Sequence, residues 1–326
     1  MLSVILPTRD RALLLRQALA SLREQTLAQD RFEVLVVDNG STDDTRMVVE
    51  LAREQSANVR YLFDPRPGLH VGRHRGLKEA EGDVLVFADD DIRATPGWLA
   101  AVAENFTDPG IALVGGNNYP DFKEKPPVWL DQLWQRPSLG GQAISSLSVL
   151  ALPEGRRAIS PFRVWGCNFS IRRNVLLDAG GFHPDAMPQD LIRFRGDGET
   201  HVSRFVADRG LGCVFDSRAS VFHAVTAERM TVQYFRRRAY NQGISDSYTR
   251  LRCGDTAGSR ARFLAAARRV ADGIYARLQE FRRDGPVIRD LQAAIRKGYR
   301  EGFAYHRIMY GQDAELRDWV HRPDYY

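Results

Sequence analysis

The sequence predicts an α/β protein in which a mostly parallel sheet is flanked by helices and followed by a helical, basic C-terminal region. In the first 115 residues, short apolar runs rich in β-branched residues recur, as in parallel strands buried on both faces. Helical patterns separate these runs, which is the alternation of an open doubly wound sheet. The C-terminal region differs in charge, because residues 229–307 contain 18 Lys and Arg against seven Asp and Glu, in a chain of net charge +5.

The predicted elements of the first part follow from these patterns. Strands are expected at 3–6, 33–37, 59–63, 84–87 and 111–114. One apolar stripe has the spacing of a helix packed on a sheet: Leu15, Ala18, Leu19 and Leu22. Ser41 followed by Asp44 predicts a capping box at the start of a second helix. Thr95 before Pro96 predicts the N-cap of a third helix.

The pattern of the remaining chain is less regular. Residues 116–160 contain five prolines and are expected to form a long irregular loop, a feature that is usually functional in a compact domain. A strand at 164–171, helices at 174–179 and 199–209, and short strands at 213–215 and 220–222 are expected next. Beyond Met230 the chain is predicted to be mostly helical, with a disordered tail at 321–326.

The composition excludes several classes of protein. Hydrophobic residues make up 44% and charged residues 27% of the 326 residues, unlike a disordered, collagen-like or disulfide-scaffold protein. Cys167, Cys213 and Cys253 are far apart, so neither a disulfide framework nor a zinc site is implied. The chain has no signal-peptide pattern and no apolar run of about 18 residues, so we expect a cytoplasmic protein without a transmembrane helix.

Polar segments follow three of the predicted strands, at 7–10, 38–41 and 88–91. Ligands of open α/β sheets bind beyond the carboxyl ends of the strands, so these segments are the candidate site. Asp89 and Asp91 project to the same side if the strand geometry persists. Neighbouring carboxylates repel each other, and a hard divalent cation such as Mg²⁺ or Mn²⁺ relieves that repulsion. The alternative is an acidic loop whose aspartates cap the next helix.

The segments VILPTRDR, VVDNGSTDDT and GLHVGRHRGLKEAEGDVLVFADDD occur in this order. Together they resemble the nucleotide-binding half of family 2 glycosyltransferases, which have the GT-A fold, and the resemblance covers residues 1–115 and 164–225. It implies a nucleotide-sugar-binding half at 1–115, an acceptor-binding and catalytic half of the same domain at 116–228, and a basic, mainly helical region at 229–326. The implied reaction moves a sugar from a nucleoside-diphosphate sugar, foremost a UDP-sugar, to an acceptor hydroxyl with inversion.

The resemblance also implies roles for single residues in the first half. Pro7 and Thr8, with Arg9 beside them, correspond to positions that contact the nucleotide base, and Asp38 corresponds to a carboxylate that accepts a hydrogen bond from the base. Arg73 matches a basic residue near the base and diphosphate. Three aspartates complete the donor site: Asp89 at the ribose or metal, Asp91 as a ligand of a divalent metal, and Asp90 behind them as a supporting residue.

In the second half, the resemblance places the catalytic base at an acidic pair before the helix that ends at Gly210. Glu199 falls at the base position, while Asp197 lies one residue ahead of the usual pair, so both remain candidates and Glu199 is favoured. A carboxylate at a helix N-terminus is held ionised, as a base requires. The alternative is that both acids cap the helix.

Four further residues have an implied role and a structural alternative. His223 is expected to complete the metal site, although a lone histidine is more often simply hydrogen-bonded. Asn168 is expected to contact a sugar hydroxyl, and Trp165 either stacks on a sugar or packs in the core. Arg236, in a basic run, either clamps the diphosphate or an anionic acceptor, or lies on a solvated helix face.

Two other functions compete with the transferase. A nucleotidyltransferase would carry a glycine-rich loop after the first strand, and residues 7–10 contain no glycine. A non-catalytic relative would bind polyanions or membrane through the basic helices. The expected acceptor is a surface glycan or its lipid-linked precursor at the inner membrane face, where basic helices such as residues 260–278 would contact anionic lipid. No nucleic-acid-binding motif is present, and the sequence does not indicate an oligomeric state.

Overall fold

The computed structural model describes residues 1–254 and 285–326, which alternate strands and helices up to residue 225 and are mainly helical beyond it. In chain order the elements are β1 (Leu2–Thr8), α1 (Ala12–Arg23), β2 (Phe32–Asp38), α2 (Thr45–Gln55), β3 (Val59–Phe63), α3 (Leu69–Glu79), β4 (Val84–Ala88), β5 (Ile92–Ala94), α4 (Trp98–Asn105), β6 (Ile111–Gly115), β7 (Asn118–Phe122), α5 (Val128–Trp134), β8 (Pro137–Ser138), β9 (Gly141–Ile144), β10 (Val149–Ala151), β11 (Arg156–Ala158), β12 (Asn168–Arg172), α6 (Arg173–Asp178), α7 (Glu199–Asp208), β13 (Gly212–Asp216), β14 (Val221–Val225), α8 (Val232–Cys253), α9 (Pro286–Gln312) and α10 (Ala314–Val320).

The central sheet has the strand order β11-β13-β6-β12-β4-β1-β2-β3. Strands β3, β2, β1 and β4 run parallel, and they and β6 confirm the five strands predicted from the apolar runs. Strand β12 lies antiparallel between β4 and β6, so the later part of the chain completes the sheet that the first part begins. The carboxyl ends of β1, β2 and β4 therefore lie side by side at one edge.

A second sheet, of order β5-β14-β7-β10-β9-β8, is built mostly from residues 116–160. The prediction of an irregular loop there is wrong, because this segment contributes α5 and strands β7 to β11. Its strands have two to five residues, most of them mix polar and apolar side chains, and β7 contains Pro120, so the segment shows no long apolar run. Strand β7 pairs in parallel with β14, which carries His223.

Several helix and strand boundaries differ from the predictions. The second helix begins at Thr45 without a capping box, since the side chain of Asp43 accepts from the Thr45 amide and Ser41 donates its amide to Asp38. Helix α4 begins at Trp98 because the Thr95 hydroxyl donates to the Ser220 carbonyl. The strand expected at 164–171 begins only at Asn168, which leaves residues 164–167 as a loop.

The long helices α8 and α9 pack closely through glycines. A Cβ atom on Gly302 or Gly298 of α9 would meet backbone carbonyl oxygens of α8. Residues 260–278, which were expected to contact lipid, lie outside the described residues. None of the helices within 1–254 and 285–326 is long and apolar enough to cross a membrane.

The C-terminal tail is ordered, so the prediction of disorder at 321–326 is wrong. Tyr325 is buried, and its hydroxyl lies 2.6 Å from the Tyr248 hydroxyl of α8. The carbonyl oxygen of Tyr325 lies 3.1 Å from Nδ1 of His74, on α3, and the Tyr326 ring packs against the His74 ring. Aromatic contacts between elements distant in sequence hold the tail, and local composition does not reveal them.

Candidate active site

The carboxyl ends of β1 and β4 are joined by side-chain contacts. Thr8 Oγ1 donates to Asp90 Oδ2 at 2.7 Å. Arg11, just before α1, reaches Asp90 Oδ1 at 2.9 Å and Asp91 Oδ2 at 3.2 Å. Burial raises the pKa of Asp90 to about 6, even though Arg11 favours its charged form. Asp90 therefore links the ends of β1 and β4 with Arg11.

The end of β2 forms a separate part of the same edge. Asp38 is buried, and it accepts hydrogen bonds from the Tyr61 hydroxyl at 2.8 Å and from the Ser41 amide at 2.7 Å. Pro7 packs close to Gly72 of α3, where a Cβ atom would collide with the Pro7 ring and with Asn39. Arg9 is exposed beside Asp10. The structure thus holds Asp38 and Pro7 in fixed positions and leaves Arg9 in solvent.

Asp91 is buried among three basic groups. His223 Nε2 lies 3.1 Å from Asp91 Oδ1, and Nη1 of Arg229 lies 3.2 Å from Asp91 Oδ2, the oxygen that Arg11 also contacts. Burial alone would raise the pKa of Asp91, but His223, Arg229 and Arg11 hold it well below the ordinary value. Asp91 is therefore ionised at neutral pH.

Asp89 has a more open position than its two neighbours, with 31% of its side chain exposed. Burial of its carboxyl and the charge of Asp91 raise its pKa. Ligand atoms of Asp89, His223 and Cys167 all lie within 4.8 Å of one another. Within the described residues, Nδ1 of His223 is buried without a hydrogen-bond partner. The donor set of these three side chains, with Asp91 adjacent, fits a divalent cation.

Arg73 links the donor side of the site to the predicted base. It is 3% exposed, lies on α3, and places its guanidinium 3.8 Å from Asp89 Oδ1 and 3.5 Å from Glu199 Oε2. Its Nη2 also donates to the Gly166 carbonyl at 3.3 Å, and the guanidinium lies 5.0 Å from the centre of the Phe182 ring. These contacts hold one positive charge between two carboxylates.

The two candidate bases have different surroundings. Glu199 is the first residue of α7, 26% of its side chain is exposed, and its Oε1 accepts from the Gly166 amide at 3.3 Å. Asp197 is 4% exposed and its oxygens are taken by His183 at 2.6 Å, Thr249 at 2.6 Å and Arg204 at 3.2 Å. Burial would raise the pKa of Asp197, but His183 and Arg204 hold it well below the ordinary range.

Asn168, Trp165 and Arg236, which were expected to contact the ligand, make contacts with other parts of the protein. Asn168 is buried, accepts from the Trp98 indole at 3.0 Å and donates to the Ala219 carbonyl at 2.9 Å, so its amide braces the core. Trp165 is half-buried and packs against core residues. Arg236 is exposed on α8 and pairs with Glu301 of α9 at 2.9 Å.

Arg11, Arg229 and Cys167 belong to the cluster but were not predicted as site residues. Arg11 is the last residue of the segment VILPTRDR, and its position just beyond β1 is the signal that could have identified it. Arg229 follows His223 by six residues, and only the turn after β14 brings it back to Asp91. Cys167 precedes Asn168, which pairs with Ala88, so the antiparallel register brings Cys167 level with Asp89.

Comparisons with known proteins identify similar sequences. The family model described as Glycosyl transferase family 2 matches residues 3–178, more than half of the chain. Glycosyltransferase AglE of Haloferax volcanii is 29% identical over 221 residues, which are 65% of this chain and 63% of that protein. The GalNAc(5)-diNAcBac-PP-undecaprenol beta-1,3-glucosyltransferase of Campylobacter jejuni is 32% identical over 118 residues, which are 36% of this chain and 37% of that protein. The chain thus spans less than two thirds of the length of either relative.

A solved structure shows the same fold over nearly the whole chain. The mannosyltransferase PcManGT of Pyrobaculum calidifontis, solved in complex with GDP-Man and Mn²⁺, superposes with a TM-score of 0.57. The match covers 96% of this chain and 87% of that one at 19% sequence identity, a level at which the likeness concerns the fold alone. The sheet described above is therefore that of GT-A enzymes.

Proposed function

Because the chain belongs to glycosyl transferase family 2 and is a transferase with the GT-A fold, we propose that it moves a sugar from a nucleoside-diphosphate sugar to an acceptor hydroxyl with the aid of a divalent cation. One observation carries this proposal: Asp89, Asp91, His223 and Arg73 meet at the carboxyl edge of the sheet, with Glu199 opposite them. That edge is where open α/β sheets bind ligands.

The nucleoside is proposed to lie at the ends of β1 and β2. Asp38 has both oxygens oriented by Tyr61 and Ser41, so it is a preorganised acceptor for an N–H group of a base. Pro7 and Thr8 form the adjacent wall. We take a UDP-sugar as the donor from the resemblance, and the GDP-Man complex of the Pyrobaculum mannosyltransferase makes GDP the first competitor to test.

The diphosphate is proposed to face Asp89, His223 and Arg73. A cation bound by the carboxylates and His223 would supply the positive charge that a departing diphosphate requires. Arg73 adds a buried guanidinium, a forked donor suited to phosphate oxygens. Arg11 and Arg229 neutralise Asp91 on its other oxygen, which lowers the electrostatic cost of bringing an anion into an acidic site.

Glu199 is proposed as the base that takes the proton from the acceptor hydroxyl. Its position at the start of α7, its partial exposure and its contact with Arg73 support this role. Asp197 is enclosed by His183, Thr249 and Arg204, which favours a supporting role beneath α7. The acceptor oxygen then attacks the anomeric carbon as the diphosphate leaves, with inversion.

The acceptor is proposed to be a glycan or its lipid-linked precursor, and residues 116–228 are proposed to bind it. The name of the Campylobacter relative specifies an undecaprenol-linked acceptor, which supports the lipid-linked class. Peripheral contact with an anionic membrane at its cytoplasmic face is part of the same proposal. Pelleting with liposomes tests it: retention that rises with the anionic lipid fraction is expected, and equal recovery with neutral liposomes would contradict it.

A thermal-shift panel tests the donor and the cation together. The full chain is melted with UDP, GDP, dTDP, CDP or ADP, each with Mn²⁺, Mg²⁺ or EDTA. Binding to the native state raises the melting midpoint by mass action, so one nucleotide, UDP by our proposal, should shift it only when metal is present. A panel in which no nucleotide shifts the midpoint with either metal would overturn the proposal.

A further inference from the structure

We propose that Cys167 supplies a sulfur ligand to the divalent-cation site, so that the site binds thiophilic cations of the Zn²⁺, Co²⁺ and Cd²⁺ class as well as Mn²⁺. The inference rests on the proposed function in one respect, which is that a cation binds at Asp89 and His223. It goes beyond that function because it concerns a third donor atom and the metal preference that follows from it.

The geometry brings three different donor atoms to one point. The Cys167 sulfur, a carboxylate oxygen of Asp89 and a ring nitrogen of His223 are mutually within 4.8 Å. Bond lengths of roughly 2.0–2.3 Å to nitrogen, oxygen and sulfur place two ligands on opposite sides of an ion about 4 Å apart. A small inward movement of the side chains is therefore enough for all three to contact one ion.

The chain holds Cys167 firmly at this point. The Gly166 amide on one side donates to Glu199, and Asn168 on the other side is tied to Trp98 and Ala219. Cys167 itself is 2% exposed, and its thiol makes a weak contact of 3.8 Å with the Ser148 carbonyl. That contact is easily exchanged for a metal bond, while the flanking contacts keep the sulfur in place.

The chemistry of this donor set defines its preference. Thiolate is a soft ligand that selects Zn²⁺ and similar ions, whereas carboxylate and water suit Mg²⁺ and Mn²⁺. When the sulfur binds the cation, the S–H bond breaks and its proton passes to solvent. Three protein ligands leave coordination positions open, as in catalytic metal sites, and a diphosphate can enter there.

Cobalt binding to the full chain tests the sulfur ligand without measuring activity. All proteins carry Cys253→Ser to remove the exposed thiol. Addition of Co²⁺ should produce a near-ultraviolet thiolate-to-cobalt charge-transfer band, which Cys167→Ser should lose. Cys213→Ser, which alters a buried cysteine of β13, is the matched control and should keep the band. Displacement of Co²⁺ by a second cation gives the affinity for that cation. Relative to the Cys253→Ser protein, Cys167→Ser should lower the affinity for Cd²⁺ about tenfold or more and change the affinity for Mn²⁺ less than about threefold.

Two results would overturn the proposal: absence of the band in the Cys253→Ser protein, in which Cys167 is intact, or a band of unchanged strength when Cys167→Ser is added. The metal-dependent nucleotide shift, measured on the same samples, reports the proposed function separately. If that shift persists without a cobalt–sulfur band, only the sulfur ligand is wrong. If Cys167→Ser does not fold, X-ray absorption of the zinc-loaded Cys253→Ser protein decides: a sulfur neighbour at about 2.3 Å supports the ligand, and a shell of oxygen and nitrogen alone overturns it.

Discussion

Asp91 illustrates how single residues set the charge of this site. One carboxylate faces two guanidinium groups and an imidazole: Arg11 comes from the start of the chain, and His223 and Arg229 come from β14 and the turn after it. These groups lower the pKa of Asp91 and so keep it ionised although it is buried. The neighbouring Asp89 pairs with Arg73 at 3.8 Å and keeps 31% of its side chain exposed, so a ligand can reach it.

Replacing Asp91 tests the proposed metal role. Asp91→Asn should remove the nucleotide-induced, metal-dependent rise in melting midpoint, which we expect to be a few degrees in the unaltered protein. It should also lower the midpoint without ligand, because Arg229 then loses its ion pair with Asp91 and Arg11 keeps only its ion pair with Asp90. Asp83→Asn, at the exposed opposite end of β4, is the control and should change neither value. A normal nucleotide shift in Asp91→Asn would contradict the metal assignment.

Replacing Glu199 tests the base. Glu199→Gln keeps the size of the side chain but cannot accept the acceptor's proton, so turnover should fall by about 10²–10⁴ while the nucleotide shift remains. Asp208→Asn, exposed at the other end of α7, should retain normal turnover. Equal turnover of Glu199→Gln and the unaltered protein would move the base to another residue, Asp197 first.

The sequence points to the acidic residues of the site and to Arg73 and His223, but not to Arg11 and Arg229. Asp89, Asp90 and Asp91 end an apolar strand, so their type and position are visible in the chain. Arg11 and Arg229 are two of many arginines, and only the path of the backbone brings them to Asp91. Asn168 differs in the other direction. The motif predicts a contact with a sugar hydroxyl, whereas the structure shows its side-chain amide hydrogen-bonded within the core.

At the level of elements, the contact between α8 and α9 depends on the absence of side chains. Gly302→Ala would place a methyl group against the Tyr240 carbonyl and force the two helices apart, so the free energy of unfolding should fall by about 1–3 kcal/mol. Gly311→Ala is the control, since among the described residues a Cβ atom there meets nothing within 4 Å beyond its neighbours and its own helix backbone, and alanine favours a helix. Chemical denaturation measures both, and equal stability of the two variants would contradict this account of the packing.

Elements were predictable where one pattern dominates. The parallel strands are uniformly apolar, and α1 has a single buried stripe. The second sheet could not be predicted, because strands of two to five residues acquire their order only by pairing with β14 and with each other. The helices at Thr45 and Trp98 begin later than the sequence predicts, because nearby side chains bond to other elements.

For the molecule as a whole, buried histidines predict an acid limit to stability. Burial lowers the pKa of His70 to about 3 and the pKa values of His74, His201 and His306 to about 4. In the unfolded chain these groups titrate near an ordinary pKa of about 6.5, so the unfolded state binds more protons below that pH. Their contribution to stability is complete above about pH 6.5 and is lost as the pH falls toward about 4.

Melting midpoints measured from pH 7.5 downward test this limit. The free energy of unfolding should fall by about 1.4 kcal/mol for each unit by which folding lowers a histidine pKa. His306→Gln should flatten the pH dependence, since it removes one buried imidazole, whose Nδ1 lies 2.9 Å from the Ser247 hydroxyl. His321→Gln, exposed near the C-terminus, should leave the slope unchanged. A midpoint independent of pH across this interval would contradict the prediction.

The ring of basic groups around Asp91 has a consequence for recombination between related enzymes. Arg11 lies just after β1, the first strand, whereas His223 lies in β14, the last strand, and Arg229 follows it. The family model ends between them, at residue 178. A hybrid that kept residues 1–178 of this chain and took the rest from another enzyme would retain Asp91 and Arg11 but lose this chain's His223 and Arg229. A junction that preserves all three partners of Asp91 therefore lies beyond Arg229, and under the proposed division of the domain, acceptor specificity would be exchanged by shorter inserts within residues 116–222.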